Sequence, residues 1–464
     1  MSKFLFVIGI VITLFSCGTV KMEYQNKYIY HPYELESCTR GQRCILVKGV
    51  YEIERSIQLL DKRDIQYEGS GSTILMSEKA PVKNGYSIFN VRDGQDLKFT
   101  GFTLDGNKQK RKCAEQYAHT FIMVGSKNVG LTNVNIKNSP VDGFYLGAGS
   151  EGDSSTYCRN ILIENCRIDS SCRNGISIIN AYGVKIRSVE ISHSKGLGPA
   201  AGIDVESDAT KPIPSNREIV IENSKFFDHE GCGIMTSQKG TPERIEILNN
   251  VVSRCQIGVF VASTKTKISG NSIVDSRLFG IQSVRYDNAP IDKNVVENNS
   301  IESAEIGIHY SGEDGYIKNN KIGRCSKTGI WLNGNTVNIT SVTLTSNQIN
   351  WVGEAGIYAN NFATTRVHGN QIFDCKKEGI SIVNGASVVD SNIITRCSTG
   401  AIITGSKCDF TNNQVSDCTT GLSAIGGNRI KLGGRIERNK FSVVRNTWYG
   451  DVHQFDMKEN TIEK

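Results

Sequence analysis

The sequence is poor in proline, nearly balanced in charge and short of long apolar stretches, and each shortage excludes a class of protein. Only 8 of its 464 residues are proline, beside 46 glycines, while 38% are hydrophobic and 22% are charged. This composition excludes a disordered chain and a collagen repeat. After residue 17 no run is long and apolar enough to cross a bilayer, which excludes a multi-span membrane protein.

Motifs for several common chemistries are also absent. The chain has no phosphate-binding glycine loop, no zinc-type spacing of Cys and His, and no serine-triad signature. The net charge is only +6, and the one basic run, Lys108–Lys112, is typical of a solvated loop. We therefore expect no nucleic-acid partner.

The first 17 residues have the pattern of an export signal. Lys3 precedes an apolar run, Phe4–Phe15, that is too short to span a membrane and closes on Leu14-Phe15-Ser16-Cys17. This ending resembles a bacterial lipobox, which implies acylation of Cys17 and an outer-membrane or cell-surface lipoprotein held only by its lipid. An ordinary signal peptide with an incidental cysteine, giving a periplasmic or secreted protein, is the alternative.

Fourteen cysteines in an exported protein suggest disulfides, but their positions indicate another role for many of them. Five recur at equivalent places in the repeat described below: Cys255, Cys325, Cys375, Cys397 and Cys418. They predict a stack of small buried thiols that behave as apolar residues. Cys38 and Cys44, six residues apart, are the best candidates for a disulfide.

A tetrad of Gly, an apolar residue, a variable residue and a mostly apolar or small residue recurs from residue 143 onward. Its glycines are Gly143, Gly175, Gly202, Gly233, Gly258, Gly280, Gly307, Gly329, Gly356, Gly379, Gly400 and Gly421. They are 21 to 32 residues apart, too irregular for an array of helices but natural for solenoid coils with variable loops.

A second motif, Asn followed by any residue and an aliphatic one, precedes the tetrad in most coils. Its copies begin at Asn250, Asn271, Asn299, Asn320, Asn347, Asn370 and Asn413. The segments between the motifs are rich in Ile and Val, alternate with period two and are too short for helices. Stacking in register would place the asparagines in a ladder at one turn, with their amides bonded to one another along the axis.

The predicted architecture is an all-β, single-stranded parallel β-helix of about fourteen coils, capped at both ends. Residues 61–426 are expected to form the helix, after a leader at 1–17. Residues 18–60 and 427–464 lack the tetrad, so we expect an N-terminal segment and cap and a C-terminal cap there.

Three segments resemble the opening coils of the pectate-lyase-like superfamily. They are Gly49-Val50-Tyr51, Ile65–Leu75 and Phe102-Thr103-Leu104-Asp105-Gly106-Asn107. The resemblance covers nearly the whole mature chain and implies a right-handed β-helix. It does not select a function, because the superfamily includes lyases, hydrolases, epimerases and phage tailspikes.

One coil carries an acidic pair that points to chemistry. Within the tetrad the residue after Gly should point inward, so Asp204 and Glu206 should share the outer face about 6.6 Å apart. Asp-x-Glu occurs only once among the twelve coils. Asp208 follows them, and Arg173, Asn174 and His193 lie on the preceding coil. We predict Asp204, Glu206, Arg173 and His193 as catalytic and Asn174 and Asp208 as substrate-binding.

The same residues allow more than one reaction. Two carboxyls can act as acid and as nucleophile or base in glycoside hydrolysis. Alternatively, Asp204, Glu206 and Asp208 could bind Ca²⁺ while Arg173 acts as the base of a lyase. No cofactor other than this Ca²⁺ is expected. Solvated charges without a catalytic role are the third interpretation.

Aromatic residues stand in the same outward column on later coils: Phe260, His309, Trp331 and Tyr358. Rings on an exposed sheet have no role in the core and could stack on sugar rings. A loop folded over the column would bury them instead.

Together these patterns predict an exported carbohydrate-active enzyme, a polysaccharide lyase or glycoside hydrolase that acts on an extracellular polysaccharide. The alternative is a non-catalytic glycan-binding or adhesive protein of the cell surface. A monomer is expected in either case.

Overall fold

Short strands and tight turns alternate along the whole of the computed structural model. It describes residues 23–463 except 81–85, 114–117, 151, 207–214, 238–241, 286–290, 335–340, 363 and 428–430. The predicted leader and Cys17 lie outside the described residues. Most coils contribute one strand to each of three sheets, called sheets 1, 2 and 3 in chain order, and the strands of adjacent coils pair in parallel.

The strands of each sheet lie in consecutive coils. Sheet 1 comprises Gln25–Ile29, Gln42–Leu46, Arg63–Glu68, Gln95–Thr100, Lys127–Thr132, Cys158–Glu164, Ala181–Arg187, Arg217–Glu222, Glu243–Leu248, Lys267–Ser269, Val295–Glu297, Gly315–Lys318, Val342–Thr345, Thr365–His368, Ala386–Asp390, Lys407–Thr411, Arg435–Glu437 and Asp456–Lys458. Sheet 2 comprises Val50–Ile53, Thr73–Met76, Thr103–Asp105, Asn135–Lys137, Arg167–Asp169, Glu190–Ser192, Lys225–Phe227, Val251–Ser253, Ser272–Val274, Ser300–Glu302, Lys321–Gly323, Gln348–Val352, Gln371–Cys375, Ile393–Thr395, Gln414–Ser416, Lys440–Ser442 and Thr461–Glu463. Sheet 3 comprises Ile57–Leu60, Phe89–Arg92, Phe121–Val124, Phe144–Gly147, Ile176–Ile179, Ile203–Glu206, Cys232–Thr236, Ile257–Val261, Phe279–Val284, Ile306–Ser311, Ile330–Asn333, Ile357–Asn360, Glu378–Val383, Thr399–Thr404, Thr420–Ile425 and Asn446–Gly450.

Helices are few and short in the described part of the chain. A four-residue α-helix spans Lys108–Arg111, and 3₁₀ turns span Pro32–Ser37, Ser154–Thr156 and Val452–Gln454. No helix among the described residues has the length and apolarity needed to cross a membrane. The predicted parallel β-helix is therefore confirmed as an all-β solenoid.

The glycine tetrads mark twelve consecutive strands of sheet 3, as predicted. A steric constraint explains the glycine: a Cβ built on Gly175 would lie 2.6 Å from the carbonyl oxygen of Gly202 and 2.3 Å from Ile191 Cγ2. The same approach to the next glycine carbonyl recurs from Gly143 to Gly400. Any larger residue would force the coils apart at this turn.

The asparagine ladder is also confirmed, and it is longer than predicted. Its members are Asn250, Asn271, Asn299, Asn320, Asn347, Asn370, Asn392, Asn413, Asn439 and Asn460. Each Nδ2 donates to the Oδ1 of the next asparagine over 2.9 to 3.1 Å. Each oxygen from Asn271 onward also accepts from the backbone N–H of the asparagine before it. The ladder thus satisfies buried polar groups at a turn where adjacent coils meet.

The cysteines divide into the two expected roles. The five repeat cysteines are buried and free, and Cys38 is bonded to Cys44 as predicted. A second disulfide, Cys113–Cys172, joins residues 59 apart in sequence and was not foreseen. Disulfides are typical of oxidising compartments, which indicates an extracytoplasmic protein.

Strands of the solenoid extend into both segments that were expected to be caps. Sheet 1 begins at Gln25–Ile29, and sheet 2 ends at Thr461–Glu463. The 3₁₀ turn Pro32–Ser37 packs against the first strands and buries Leu35 completely, so it covers the N-terminal end of the core. At the opposite end, Ile462 is 52% exposed although its partner Phe441 is fully buried.

Candidate functional site

Asp204 and Glu206 lie on the strand Ile203–Glu206 of sheet 3, on the face opposite the core. Ile203 and Val205 point inward and are fully buried. Asp204 was expected to be exposed, and this is wrong, since none of its surface reaches solvent. It stands in register between Ser177 and Met235 on the adjacent coils, and Asn174 Nδ2 donates to its Oδ2 over 3.2 Å. Glu206 is partly exposed.

Asp142 organises the polar groups around this strand. Its Oδ1 accepts from Arg173 Nε over 2.8 Å and from the backbone N–H of Asn174 over 3.0 Å. Its Oδ2 accepts from Arg173 Nη2 over 2.5 Å and from Ser177 Oγ over 2.8 Å, and lies 3.0 Å from His119 Nδ1. We call the group of Asp142, Arg173, Asn174, Ser177, His119, Asp204 and Glu206 the carboxyl cluster.

The two buried carboxyls of the cluster have opposite pKa shifts. Burial alone would raise the pKa of Asp142, but the hydrogen bonds and charges of Arg173 and His119 outweigh it and hold that pKa well below its usual range. Burial also raises the pKa of Asp204, and the negative charges of Glu206 and Asp142 raise it further. Asp204 Oδ1 has no hydrogen-bond partner within the described part of the chain. Asp142 is therefore the ionised carboxyl and Asp204 the one that favours its proton.

Arg173 is unsuited to act as the base of a lyase. Burial would lower its pKa, but the two hydrogen bonds and the charge of Asp142 raise it above its ordinary value. The guanidinium therefore stays charged and engaged, which disfavours Arg173 as a general base.

His193 and Asp208 are not placed in the carboxyl cluster. The imidazole of His193 lies at the turn after sheet 2, with Nδ1 2.8 Å from Asp169 Oδ1 and Nε2 3.8 Å from Asp228 Oδ2. Asp208 falls outside the described residues, so its predicted role is untested. Among residues that the structure describes, no three His, Cys, Asp or Glu side chains are grouped closely enough to hold a metal ion.

The aromatic residues align in one outward column, as predicted. Phe260 pairs with Gln282, which pairs with His309, and the register continues through Trp331 to Tyr358. The expectation that His309 is exposed is wrong, because its ring is stacked between Phe279 and Trp331. The ring centroids are 5.3 and 4.3 Å apart, and burial lowers the pKa of His309 to about 4.

An open cleft of about 450 Å³ adjoins this stack. Phe279, Trp331 and Tyr358 form its aromatic wall. Two ion pairs rim it, Lys327 with Glu305 and Lys377 with Glu354, the second over 3.0 Å. We call this the aromatic cleft. Phe260 lies two coils before His309 and is outside its lining.

Asp142 and Phe279 were not predicted from the sequence, whereas Asn174, which holds the equivalent position in its coil, was predicted. The residue immediately before the glycine belongs to the same outer surface. This position is occupied by Asp142, Asn174, Phe279 and Glu378. Reading that column as well would have found the centre of the carboxyl cluster and the first ring of the aromatic stack. His119 has no comparable signal, because it lies before the first tetrad.

Comparison with known proteins identifies the fold family. The model described as "Right handed beta helix region" matches residues 119–296 and 291–441. The uncharacterized protein YclG of Bacillus subtilis (strain 168) is 24% identical over 366 residues, which are 75% of this chain and 55% of that protein. The chain thus spans about half the length of this relative.

Two solved structures share the fold at low sequence identity. The catalytic domain of a GH87 α-1,3-glucanase in complex with tetrasaccharides matches with a TM-score of 0.53 at 15% identity, over 75% of this chain and 69% of that one. The pre-mature gene product 12 of bacteriophage phi29 also has a TM-score of 0.53, at 12% identity over 91% and 69%. These likenesses show the shared solenoid and include a carbohydrate-active enzyme.

Proposed function

The chain belongs to the right-handed β-helix family, and we propose that it is an extracytoplasmic enzyme that hydrolyses a polysaccharide at the carboxyl cluster. The observation that carries the proposal is that buried Asp204, beside other carboxyls, has a raised pKa, whereas the pKa of its neighbour Asp142 is lowered. Glycoside hydrolysis needs one carboxyl that holds a proton and another that is ionised. A pair of carboxyls whose surroundings shift their pKa values apart is the usual way to obtain both at one pH.

In this proposal Asp204 is the proton donor, and Glu206 is the base or the nucleophile. Asp204 protonates the oxygen of the leaving sugar, and Glu206 serves as the base that activates water or as the nucleophile. Asp142 does not touch the substrate. It positions Arg173, Asn174 and Ser177 and contributes to the negative field that keeps Asp204 protonated.

The burial of Asp204 sets a condition on this mechanism. In the free protein Glu206 is the member of the acidic pair that meets solvent, whereas Asp204 is covered. Substrate binding must therefore open a path to Asp204 before the proton can be transferred. Burial up to that point protects the protonated carboxyl from water.

Hydrolysis is favoured over elimination because of Arg173. Arg173 would have to lose its proton to act as the base of an elimination, and the ion pair with Asp142 keeps this guanidinium protonated. Calcium is not required by the proposed hydrolysis.

Turnover by matched variants tests the proposal. Asp204→Asn and Glu206→Gln should each reduce cleavage of a responsive polysaccharide by at least 100-fold, with unchanged circular dichroism. Glu246→Gln, an exposed change on sheet 1, should leave turnover unchanged. Products with saturated ends indicate hydrolysis. Unsaturated ends, or full turnover by both variants, would overturn it.

A glycan-binding protein without catalysis is the second candidate, and the aromatic cleft favours it. Trp331 and Tyr358 are partly exposed and form one wall of an open cavity, which suits the apolar faces of sugar rings. If no polysaccharide in a broad panel is cut, but Trp331→Ala and Tyr358→Ala abolish retention of one of them, this second function replaces the first.

A further inference from the structure

We propose that the corner around Trp351 is a separate binding site for an anionic glycan. A sugar ring would stack on the indole, and Lys376 would pair with a carboxylate or sulfate group of that sugar. This inference goes beyond the proposed function, since neither the carboxyl cluster nor the aromatic cleft takes part. It rests on an exposed ring that is held in place, on an adjacent cavity and on the charge around them.

Trp351 is unusual for its position in the repeat. It lies near the end of the sheet 2 strand Gln348–Val352, at a position where one residue of many coils has a left-handed backbone. In this column Trp351 has φ of 55°, and its neighbours Arg324, Asp374 and Arg396 have φ of 50°, 57° and 55°. Preceding coils place Asp228, Arg254, Asp275 and Ser303 there. A bulky ring in this conformation is rare, and here it replaces the polar residues of the preceding coils.

The indole is exposed and yet fixed in orientation. The side chain of Trp351 is 66% exposed. Its indole interacts with the carboxylate of Asp374. That carboxylate accepts from Arg396 Nε over 2.6 Å and from Arg396 Nη2 over 2.8 Å. A ring that is already ordered loses little entropy when a ligand stacks on it.

A cavity of about 780 Å³ lies beside the ring. Its charged lining consists of Arg324, Lys376 and Arg396 with one carboxylate, Asp374. Arg324 is paired with Glu302 over 2.6 Å and Arg396 with Asp374, whereas Lys376 is exposed and has no ion-pair partner among the described residues. The cation left for a ligand is therefore that of Lys376, which lines the same cavity as the ring.

The chemistry of the site fits a charged sugar. Aromatic rings stack on the C–H faces of sugars, and an ammonium group beside the ring selects a carboxylate or sulfate over a neutral hydroxyl. A nucleic acid would offer stacking bases and phosphates to the same groups. The two disulfides indicate an extracytoplasmic protein, and this favours the glycan.

Binding to an array of oligosaccharides tests the proposal, with uronate-containing and sulfated members beside neutral ones of equal length. The full chain should bind at least one anionic class, and the dissociation constant should rise at least tenfold in Trp351→Ala and in Lys376→Ala. Higher salt should weaken the binding. Trp351→Phe, which retains an aromatic ring but cannot bond to Asp374, should fall between the wild type and Trp351→Ala.

Two exposed residues on other parts of the solenoid provide matched controls. Tyr316→Ala removes a ring that is 51% exposed on sheet 1, and Lys225→Ala removes an exposed lysine six coils before Lys376; both should bind within twofold of wild type. Absence of binding to every anionic oligosaccharide, or binding unchanged in Trp351→Ala, would overturn the proposal. So would binding of single-stranded DNA, rather than glycans, that is lost in Trp351→Ala. Trp351 and Lys376 lie outside the carboxyl cluster, so failure of the catalytic proposal leaves this result unaffected.

Discussion

The carboxyl cluster and the aromatic cleft occupy the same outward positions on sheet 3, yet one is closed and the other open. Asp204 and Trp331 are five coils apart, about 24 Å along the axis. Asp142 and Asp204 are fully buried, whereas Trp331 and Tyr358 remain partly exposed. The repeat thus determines which side chains point outward, while the surrounding turns and neighbouring side chains determine whether they meet water.

This difference separates two kinds of function. A closed polar site can shift pKa values far from their ordinary range, because charges there are poorly solvated. An open aromatic site cannot do so to the same extent but offers area for stacking. Catalysis is therefore expected at the first region and retention of the polymer at the second.

The largest loss of stability is expected when Asp142, at the centre of the carboxyl cluster, is replaced. Asp142→Asn removes the counter-ion of Arg173 and replaces one of its two acceptor oxygens by an NH2 group, so the free energy of unfolding should fall by about 4 kcal/mol. Asp228→Asn, which breaks the more exposed pair with Arg254, should cost less than about 1 kcal/mol. Urea denaturation measures both. Equal losses would show that the cluster is no more coupled than a surface pair.

The next largest effect is on the pH dependence of stability, and it comes from the buried imidazole of the aromatic stack. His309 has its pKa lowered to about 4, against about 6.5 in the unfolded chain. The unfolded state therefore binds the proton more tightly, so the stability due to the neutral ring is complete above pH 6.5 and is lost as the pH falls toward 4.

His309→Gln should remove this dependence and reduce the loss of stability between pH 7 and pH 4 by about 3 kcal/mol relative to wild type. The exposed His453 provides the control, since His453→Gln should leave the pH profile of unfolding unchanged. If both variants follow the wild-type profile, His309 is not buried as a neutral ring.

A smaller loss of stability, equal at different places along the solenoid, is expected when the asparagine ladder is broken. Asn271 lies in the coil of Phe279, at the end of the aromatic cleft that faces the carboxyl cluster, and Asn347 lies in the coil of Tyr358, at the far end of the cleft. Their amides make the same bonds to the next rung. Asn271→Ala and Asn347→Ala should each lower the free energy of unfolding by about 2 kcal/mol, since buried partners lose a bond. Asn460→Ala, at the end of the ladder, should cost less. Unequal losses at the two interior rungs would mean that the scaffold itself differs between these two coils.

The features that sequence could predict are those that repeat at a fixed place in every coil. The glycine tetrad, the asparagine ladder and the thiol stack each recur because adjacent coils impose the same steric or hydrogen-bonding demand. Register follows from them, and with it the outward direction of Asp204 and Trp331. None of this requires knowledge of the loops.

The features that sequence missed depend on contacts between positions without a common period. His119 reaches Asp142 from a segment before the first tetrad, and Cys113 bonds to Cys172 across 59 residues. The burial of Asp204 depends on neighbours from two coils. The ion pair with Asp142 likewise keeps Arg173 protonated. The position of Arg173 in the sequence does not reveal this pair.

The most direct test of the account is the titration of Asp204 itself. Carboxyl ¹³C NMR on aspartate-labelled protein, with Asp204→Asn to assign the signal, follows its ionisation. We expect a midpoint for Asp204 well above about 4, the ordinary value for aspartate, while Asp142 stays ionised far below it. A midpoint for Asp204 at or below that ordinary value would contradict the assignment of Asp204 as the proton donor.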